Sequence, residues 1–265
     1  MSKRCVGIAL GLSIAPSAAM AGAWTLPENT GQLLATFTAS TATQELNGSS
    51  GLTSTPRYSK AELSALLEYG LTDKFTVILN PGLQYIDIGP PTSATRGGLG
   101  YTEFGGRYQL WQSGDWVFSG QATLRLPGTT ETGNPAAVGY TDVEGDFRAL
   151  LGHNFTLGSM PAFTDFEVAE RARTAGAPSE FRADATFGVL VVPQWLLLAQ
   201  SFNVLSEGGG TDTIFGGSYE YYKLQLSAVY EITPTLSVQG GGFTTFAGRN
   251  ALQESGAIFG VWYKF

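Results

Sequence analysis

The chain has 265 residues, of which 14% are charged and 35 are glycine, and its formal net charge is −7. About a quarter of the residues in a typical soluble domain are charged, so this composition argues against a water-soluble α/β enzyme. The acidic balance also argues against a nucleic-acid partner, because phosphate binding relies on lysine and arginine.

The first 21 residues have the pattern of a secretory signal peptide. Lys3 and Arg4 form a positive region, and an apolar stretch follows at Val6–Ile14. Small residues in Ala19-Met20-Ala21 then suit a cleavage site after Ala21, with Ala23 as an alternative end. Residues 22–265 would form one mature domain. Its net charge would be −9 (−7 less the two lost positive charges), and the only cysteine would be removed.

Downstream, twelve segments alternate apolar and polar residues with the period of two that is typical of β-strands. In chain order they are residues 32–41, 59–69, 75–86, 99–110, 116–126, 141–155, 162–173, 181–192, 196–205, 219–232, 236–246 and 254–265. An even number of such segments predicts an all-β fold, a single up-and-down antiparallel transmembrane β-barrel of twelve strands.

The breaks between these segments alternate in length. Short breaks rich in Gly, Pro, Asp or Ser follow the even-numbered strands, and longer ones follow the odd-numbered strands. The predicted long loops are 42–57, 87–98, 127–140, 174–180, 206–217 and 247–253. Outer-membrane barrels have short periplasmic turns and long extracellular loops. We therefore expect an integral protein of a Gram-negative outer membrane, in contact with its lipid, with both termini periplasmic.

Most charged residues occupy alternate positions of their strand and so share one face, and that face is predicted to point into the lumen. A Lys or Arg on the lipid face near the midplane would cost roughly 2–4 kcal/mol. The candidate lumen residues are Lys60, Glu62, Glu68, Glu103, Arg107, Arg125, Glu144, Asp146, Arg148, Asp165, Glu167, Arg171, Arg182, Asp184, Lys223, Glu231 and Glu254. Charged side chains on adjacent strands are expected to lie next to each other, with Glu103 or Arg107 beside Arg125, and Arg148 beside Asp165 or Glu167. The phase of strand 196–205 is left open because nearly all of it is apolar.

The final strand has the features of an outer-membrane closing strand. Gly260 is followed by the alternating aromatics Tyr263 and Phe265, which predicts an outward aromatic face and a signal for the barrel assembly machinery. Trp262 and Lys264 are predicted to point inward.

Enzymatic chemistry has little support. His153 is the only histidine, and it falls on the outward phase beside a short turn, away from the rim where lipid hydrolases of this architecture work. No catalytic residues, cofactor or metal site are predicted. Only residues 24–31 precede the first strand, which we judge too short for a folded plug. Gating is therefore expected from loop 127–140 or from lumen side chains.

Three stretches resemble the meta-pathway phenol-degradation outer-membrane family. They are Glu68-Tyr69-Gly70-Leu71-Thr72-Asp73-Lys74-Phe75-Thr76-Val77, Glu103–Tyr108 with Trp111, and Val229–Val238. The resemblance implies a transporter-like barrel for small, hydrophobic or aromatic solutes. A structural or surface-interaction barrel is the first alternative, and an outer-membrane lipid hydrolase is the second.

Overall fold

The computed structural model of the protein describes residues 22–129, 131, 133–137, 142–209 and 217–265, so the predicted signal peptide lies outside the described part. Nearly all of the described chain is β-strand. The elements are β1 (Gly31–Leu46), β2 (Leu52–Thr72), β3 (Phe75–Asn80), β4 (Gly82–Ile88), β5 (Ala94–Leu99), β6 (Thr102–Ser113), β7 (Trp116–Leu126), a 3-10 turn (Pro135–Ala137), β8 (Glu144–Leu157), β9 (Met160–Arg173), β10 (Glu180–Val192), β11 (Trp195–Ser206), β12 (Glu220–Thr233), β13 (Leu236–Arg249), β14 (Ala251–Leu252) and β15 (Ser255–Lys264). Among the described residues, no helix is long and apolar enough to cross a membrane.

These segments form twelve barrel strands, because three pairs of segments are interrupted single strands. β3 and β4 both pair with β2 and are separated by Pro81, which has no N–H to donate to the ladder. β5 and β6 pair with β4 and β3, and both β14 and β15 pair with β1. All neighbours are antiparallel, and β1 pairs with β2 on one side and β15 on the other. The prediction of a closed, twelve-stranded all-β barrel is confirmed.

The two ends of the barrel differ. Two-residue turns at 73–74, 114–115, 158–159, 193–194 and 234–235 lie at one end, here called the turn end. The longer connections lie at the opposite end, here called the loop end. The chain enters β1 and leaves β15 at the turn end, where Gly31 and Phe265 exchange backbone hydrogen bonds of 2.7 and 2.9 Å.

The outer surface of the barrel is apolar. Side chains such as Phe37, Phe104, Leu226 and Phe259 are exposed, although their neighbours in sequence point into the interior. This is the surface that a membrane-spanning barrel presents to lipid. The structure also shows which side chains of β11 face inward, which the sequence left undecided. Leu196 and Leu198 are buried, and the residue between them is exposed.

Aromatic side chains form a girdle on the outer face at the turn end. His153 stacks on Trp116 with ring centroids 3.9 Å apart and planes 14° apart, and Phe155 continues the stack at 5.5 Å. Tyr263 and Phe265 stack in the same way on the last strand. Aromatic residues in such a belt lie where the apolar band meets the headgroups.

Three of the predicted loops were too long. Loop 87–98 is only residues 89–93, because β4 continues to Ile88 and β5 pairs with it. Loop 42–57 is only residues 47–51, because β1 and β2 continue as a paired ribbon up to Leu46 and Leu52. Loop 247–253 is likewise reduced by the extension of β13 and by β14. The extensions of β1 and β2 contain Thr43, Gln44, Thr53, Ser54 and Thr55, and they pair through their backbones where no apolar outer face is required. The alternation of apolar and polar residues in the sequence therefore ends before the strands do.

The outward phase can be tested on a single strand. Leu226→Arg places a charge on the lipid face of β12, and we expect it to lower the free energy of unfolding by roughly 2–4 kcal/mol. Gln225→Arg is the matched control, because Gln225 faces the lumen and contacts Gln200. Urea unfolding in lipid vesicles measures both variants, and equal losses would contradict the assigned phase.

Candidate functional site

The lumen contains three neighbouring cavities. A cavity of about 620 Å³ near the loop end is lined by residues that include Tyr58, Lys60 and Tyr221. A central cavity of about 510 Å³ lies deeper in the barrel. A third, of about 100 Å³, shares Lys60 with the first and Glu103 and Arg125 with the second. The three therefore follow one another along the interior, bordered by charged side chains.

Paired charges form a ladder along the inner face of β6 to β10. Arg125 reaches across from β7 to Glu103 on β6 at 2.7 Å and to Glu144 on β8. Such short distances are expected, because inward-facing residues of neighbouring strands lie side by side on the same face of the sheet. Arg125 thereby joins three strands through its one guanidinium group.

Arg148 contacts three carboxylates of this ladder. Its guanidinium lies 2.8 Å from Asp146, 2.6 Å from Glu167 and 3.0 Å from Asp184. A guanidinium nitrogen of Arg171 also lies 2.9 Å from the Asp146 carboxylate. Since these side chains are largely buried, removing one partner would leave charges with few alternatives. The ladder therefore holds the wall of β8 to β10 rigidly.

The ladder continues to the loop end through Arg173. This residue contacts Glu144 at 2.9 Å and Glu180 at 3.2 Å, and it donates a 2.7 Å hydrogen bond to the hydroxyl of Tyr219. Tyr219, in the loop before β12, donates in turn to Glu180 at 2.6 Å. Burial and the Glu180 carboxylate raise the pKa of the Tyr219 hydroxyl, so it remains protonated and keeps donating.

Apolar side chains cover another part of the lining of the central cavity, alongside the neutral polar side chains of Asn80, Gln200, Gln225 and Gln239. Its apolar lining comes from β1, β2, β3, β9, β11 and β15 and comprises Leu34, Leu66, Ile78, Phe163, Leu198, Phe202, Ile258 and Trp262. One side of the cavity thus offers charge and hydrogen bonds, and another offers an apolar surface that includes aromatic rings. Such a mixed lining suits small molecules that have an apolar body and a polar group.

The segment before β1 lies inside the lumen at the turn end. It is too short for a folded plug, as expected, but it occupies the lumen as an extended chain, here called the plug segment, which the sequence did not predict. Ala23 is fully buried, and its N–H donates to Asp165 at 2.9 Å while its carbonyl accepts from Ser119. Arg107 donates to the carbonyl of Trp24 at 3.0 Å. A bulky side chain on an extended backbone fills this part of the lumen, so no folded domain is needed.

Trp24 fits because facing strand positions lack side chains. A Cβ added at Gly152 would lie 2.6 Å from the Trp24 ring, and the Phe163 ring similarly covers Gly188. Trp24 and Phe163 meet edge to face, with centroids 6.0 Å apart and planes at 87°. Trp24 also packs against the buried cluster of Leu34, Phe163, Leu196, Leu198, Val229 and Trp262. The lumen is narrowed here by apolar packing.

The structure distributes the predicted lumen residues unevenly. The central cavity is lined by Glu68, Glu103, Arg107, Arg125, Asp146, Arg148, Asp165, Glu167, Arg171, Arg182 and Asp184. Lys60, Lys223 and Glu254 line the loop-end cavity, and Glu62 lines the small one. Glu144 is buried within the ladder, whereas Glu231 lies near the turn end of β12, away from these three cavities.

Some predicted pairs form and others do not. Arg125 contacts Glu103 and Arg148 contacts Glu167, as predicted. The two alternatives are wrong. Asp165 faces the plug segment instead of Arg148, and Arg107 pairs with Glu68 at 2.9 Å instead of lying beside Arg125. In the part of the chain that the structure covers, no three His, Cys, Asp or Glu side chains are placed to hold a metal ion. Loop 127–140 is only partly within the described residues.

No protein-family model and no curated protein matches the sequence. Solved structures do match. The COG4313 outer membrane channel from Pseudomonas putida F1 has a TM-score of 0.72 at 15% identity, covering 92% of this chain and 98% of that one. The translocator domain of autotransporter NalP from Neisseria meningitidis gives 0.55 at 12%, covering 89% of each chain. The NanC porin gives 0.52 at 7%, covering 87% of this chain and 100% of that one. At these identities the likeness shows the fold, which is that of the outer-membrane β-barrels.

The contribution of the ladder to stability can be measured at Arg148, which contacts three carboxylates. Arg148→Gln leaves the carboxylates of Glu167 and Asp184 without their arginine, and we expect a loss of roughly 3–5 kcal/mol in unfolding free energy. Arg57→Gln is the control, because its ion pair with Asp87 is on the surface and should contribute about 1 kcal/mol or less. A loss for Arg148→Gln no larger than for the control would show that the ladder is not structural.

Proposed function

We propose that the protein is an outer-membrane channel of a Gram-negative bacterium through which small molecules pass passively. The observation that carries this proposal is the interior: cavities of about 620 and 510 Å³ lie in series within a closed barrel. Its turn end is occupied by a short single segment and not by a folded domain. The similarity of fold to a structure described as an outer membrane channel supports the same function.

The lining of the central cavity suggests the class of solute. Its volume, about 510 Å³, falls within the range of pockets that hold small molecules. Trp262 and Phe202 offer aromatic contacts, and Arg182 with the neighbouring ladder offers charge and hydrogen bonds. Small compounds with a hydrophobic or aromatic body and a polar substituent match this surface. The resemblance to the meta-pathway phenol-degradation family supports the same class.

The proposal includes an orientation and partners. Short turns in outer-membrane barrels face the periplasm, so the turn end, both termini and the plug segment would be periplasmic. The outer face would contact outer-membrane lipid. Gly260, Tyr263 and Phe265 on the closing strand would be read by the barrel assembly machinery.

A structural or surface-interaction barrel is the second candidate, and the extent of internal pairing favours it. The ladder and the apolar cluster around Trp24 together would make a rigid, closed interior. A lipid hydrolase has less support, because His153 is engaged in the aromatic stack with Trp116 at the turn end. We therefore propose a non-enzymatic role.

Conductance through the plugged end separates these candidates. Gly152→Leu inserts a side chain where a Cβ would already lie 2.6 Å from Trp24, so the plug should be displaced and the conductance in planar bilayers should rise. Gly240→Leu is the matched control, because nothing lies within 4 Å of a Cβ at that position. The absence of discrete steps from wild type and both variants across a wide voltage range would favour the filled barrel.

The charged wall should set ion selectivity if it borders the solute path. Arg125→Gln removes a positive charge shared by the central and small cavities, which should shift the reversal potential under a salt gradient toward cation preference. The measurement is paired with thermal unfolding. A lower midpoint with unchanged selectivity would assign Arg125 to a structural network only.

A further inference from the structure

Asp165 differs from the other carboxylates of the central cavity. It is 2% exposed, and the only hydrogen bond that it accepts from a nitrogen, at 2.9 Å, comes from the backbone of Ala23. Its other side-chain partner is the carboxyl group of Glu167, with which it forms a hydrogen bond. The other acidic residues that line this cavity all have an arginine nitrogen within 4 Å; they are Glu68, Glu103, Asp146, Glu167 and Asp184. Within the described residues, no Lys or Arg side chain reaches Asp165 at that distance. A buried carboxylate without a cation is costly, so its position requires an explanation.

Gly22 lies directly against this carboxylate. A Cβ built on Gly22 would lie 2.5 Å from Cγ and Oδ2 of Asp165 and 2.8 Å from Oδ1. The Gly22 nitrogen is bonded to the same Cα, about 1.46 Å away, so it also lies near the Asp165 carboxylate. The φ of +124° at this residue is one that side chains rarely adopt. Both the space and the backbone thus require glycine beside Asp165.

We propose that cleavage after Ala21 gives Gly22 an α-ammonium group that forms a buried ion pair with Asp165 and completes the plug. Hydrolysis of the Ala21–Gly22 peptide bond adds water, leaving a carboxylate on Ala21 and an ammonium group on Gly22. The inference rests on the proposed export of the chain, and not on conduction.

The chemistry of the two groups supports this pairing. A free α-amino group ordinarily has a pKa of about 7.7–8.0, so at neutral pH it is mostly charged, and a nearby carboxylate favours that form. In the uncleaved chain the same nitrogen is a neutral amide that cannot compensate Asp165. Processing would therefore supply the cation that Asp165 lacks. With Arg107 and Ser119 holding the next two carbonyls, the end of the segment would be fixed on three strands.

The identity of the terminus is the first test. Intact mass of the protein purified from outer membranes should correspond to a chain that begins at Gly22. A mature chain that begins at Trp24 or at any other residue would overturn the inference, because its ammonium group could not lie at Asp165.

The ion pair itself is tested by the reactivity of a reporter thiol in the plug. The mature chain would lack cysteine, so Thr25→Cys gives a single thiol in every protein compared. It is introduced into a chain beginning at Gly22, made by removal of an initiator methionine and refolded in detergent. A second chain carries one additional serine before Gly22, and a third carries Asp165→Asn. We expect the thiol in the second and third to react with maleimide at least about tenfold faster, since a tenfold change corresponds to only 1.4 kcal/mol.

The matched control is Asp184→Asn, which removes a carboxylate of the same cavity that is paired with Arg148 and should leave the rate near that of the Gly22 chain. The serine-extended chain keeps every side chain of the lumen, so it remains informative if Asp165→Asn fails to fold. Equal rates for the Gly22 and serine-extended chains would overturn the ion pair. If the barrel conducts no ions but the thiol of the Gly22 chain still reacts slowly with maleimide, only the proposed channel function would be refuted.

Discussion

The hydrogen-bonded seam between β1 and β15 is the constraint on which the rest of the structure depends. In lipid, an unpaired backbone N–H or C=O has no water to bind, so a sheet can span a membrane only when it has no edge. The register from Gln32 opposite Lys264 to Thr41 opposite Ser255 removes the last edge. Closure also divides each strand into a lipid-facing and an enclosed face, and this division gives the interior its own chemistry.

Within the enclosed face, two kinds of contact occupy different parts of the circumference. Arginine and carboxylate side chains on β6 to β10 form a ladder, whereas apolar side chains from β1, β2, β11 and β15 cover much of the rest. The ladder braces the charged side because its members are tied to several strands at once. The plug segment contacts both parts. Its backbone is held by Ser119 and Asp165 on strands of the ladder, and the Trp24 ring packs against the apolar cluster that includes Leu34 and Trp262.

The sequence predicted the strands, their number and the inward phase well, because lipid imposes a period of two on every outward position. It underestimated β1, β2 and β13, since their loop-end extensions carry no apolar alternation. It missed the plug because residues 22–30 have no strand or helix period. Gly152 and Gly188, on inward phases, are signals that could have indicated rings packed inside the lumen, yet a glycine does not specify which ring it accommodates.

The strength of the plug is consistent with a gate. Its end is held by hydrogen bonds to Asp165, Ser119 and Arg107, and Leu26 donates another to Thr76 at 2.8 Å. Each such bond contributes a net of about 0.5–1.5 kcal/mol, more where one partner is charged. Their sum, with the burial of one indole, amounts to several kcal/mol, far less than the ladder and the closed sheet contribute together. Withdrawal of the segment would therefore require far less free energy than unfolding of the barrel.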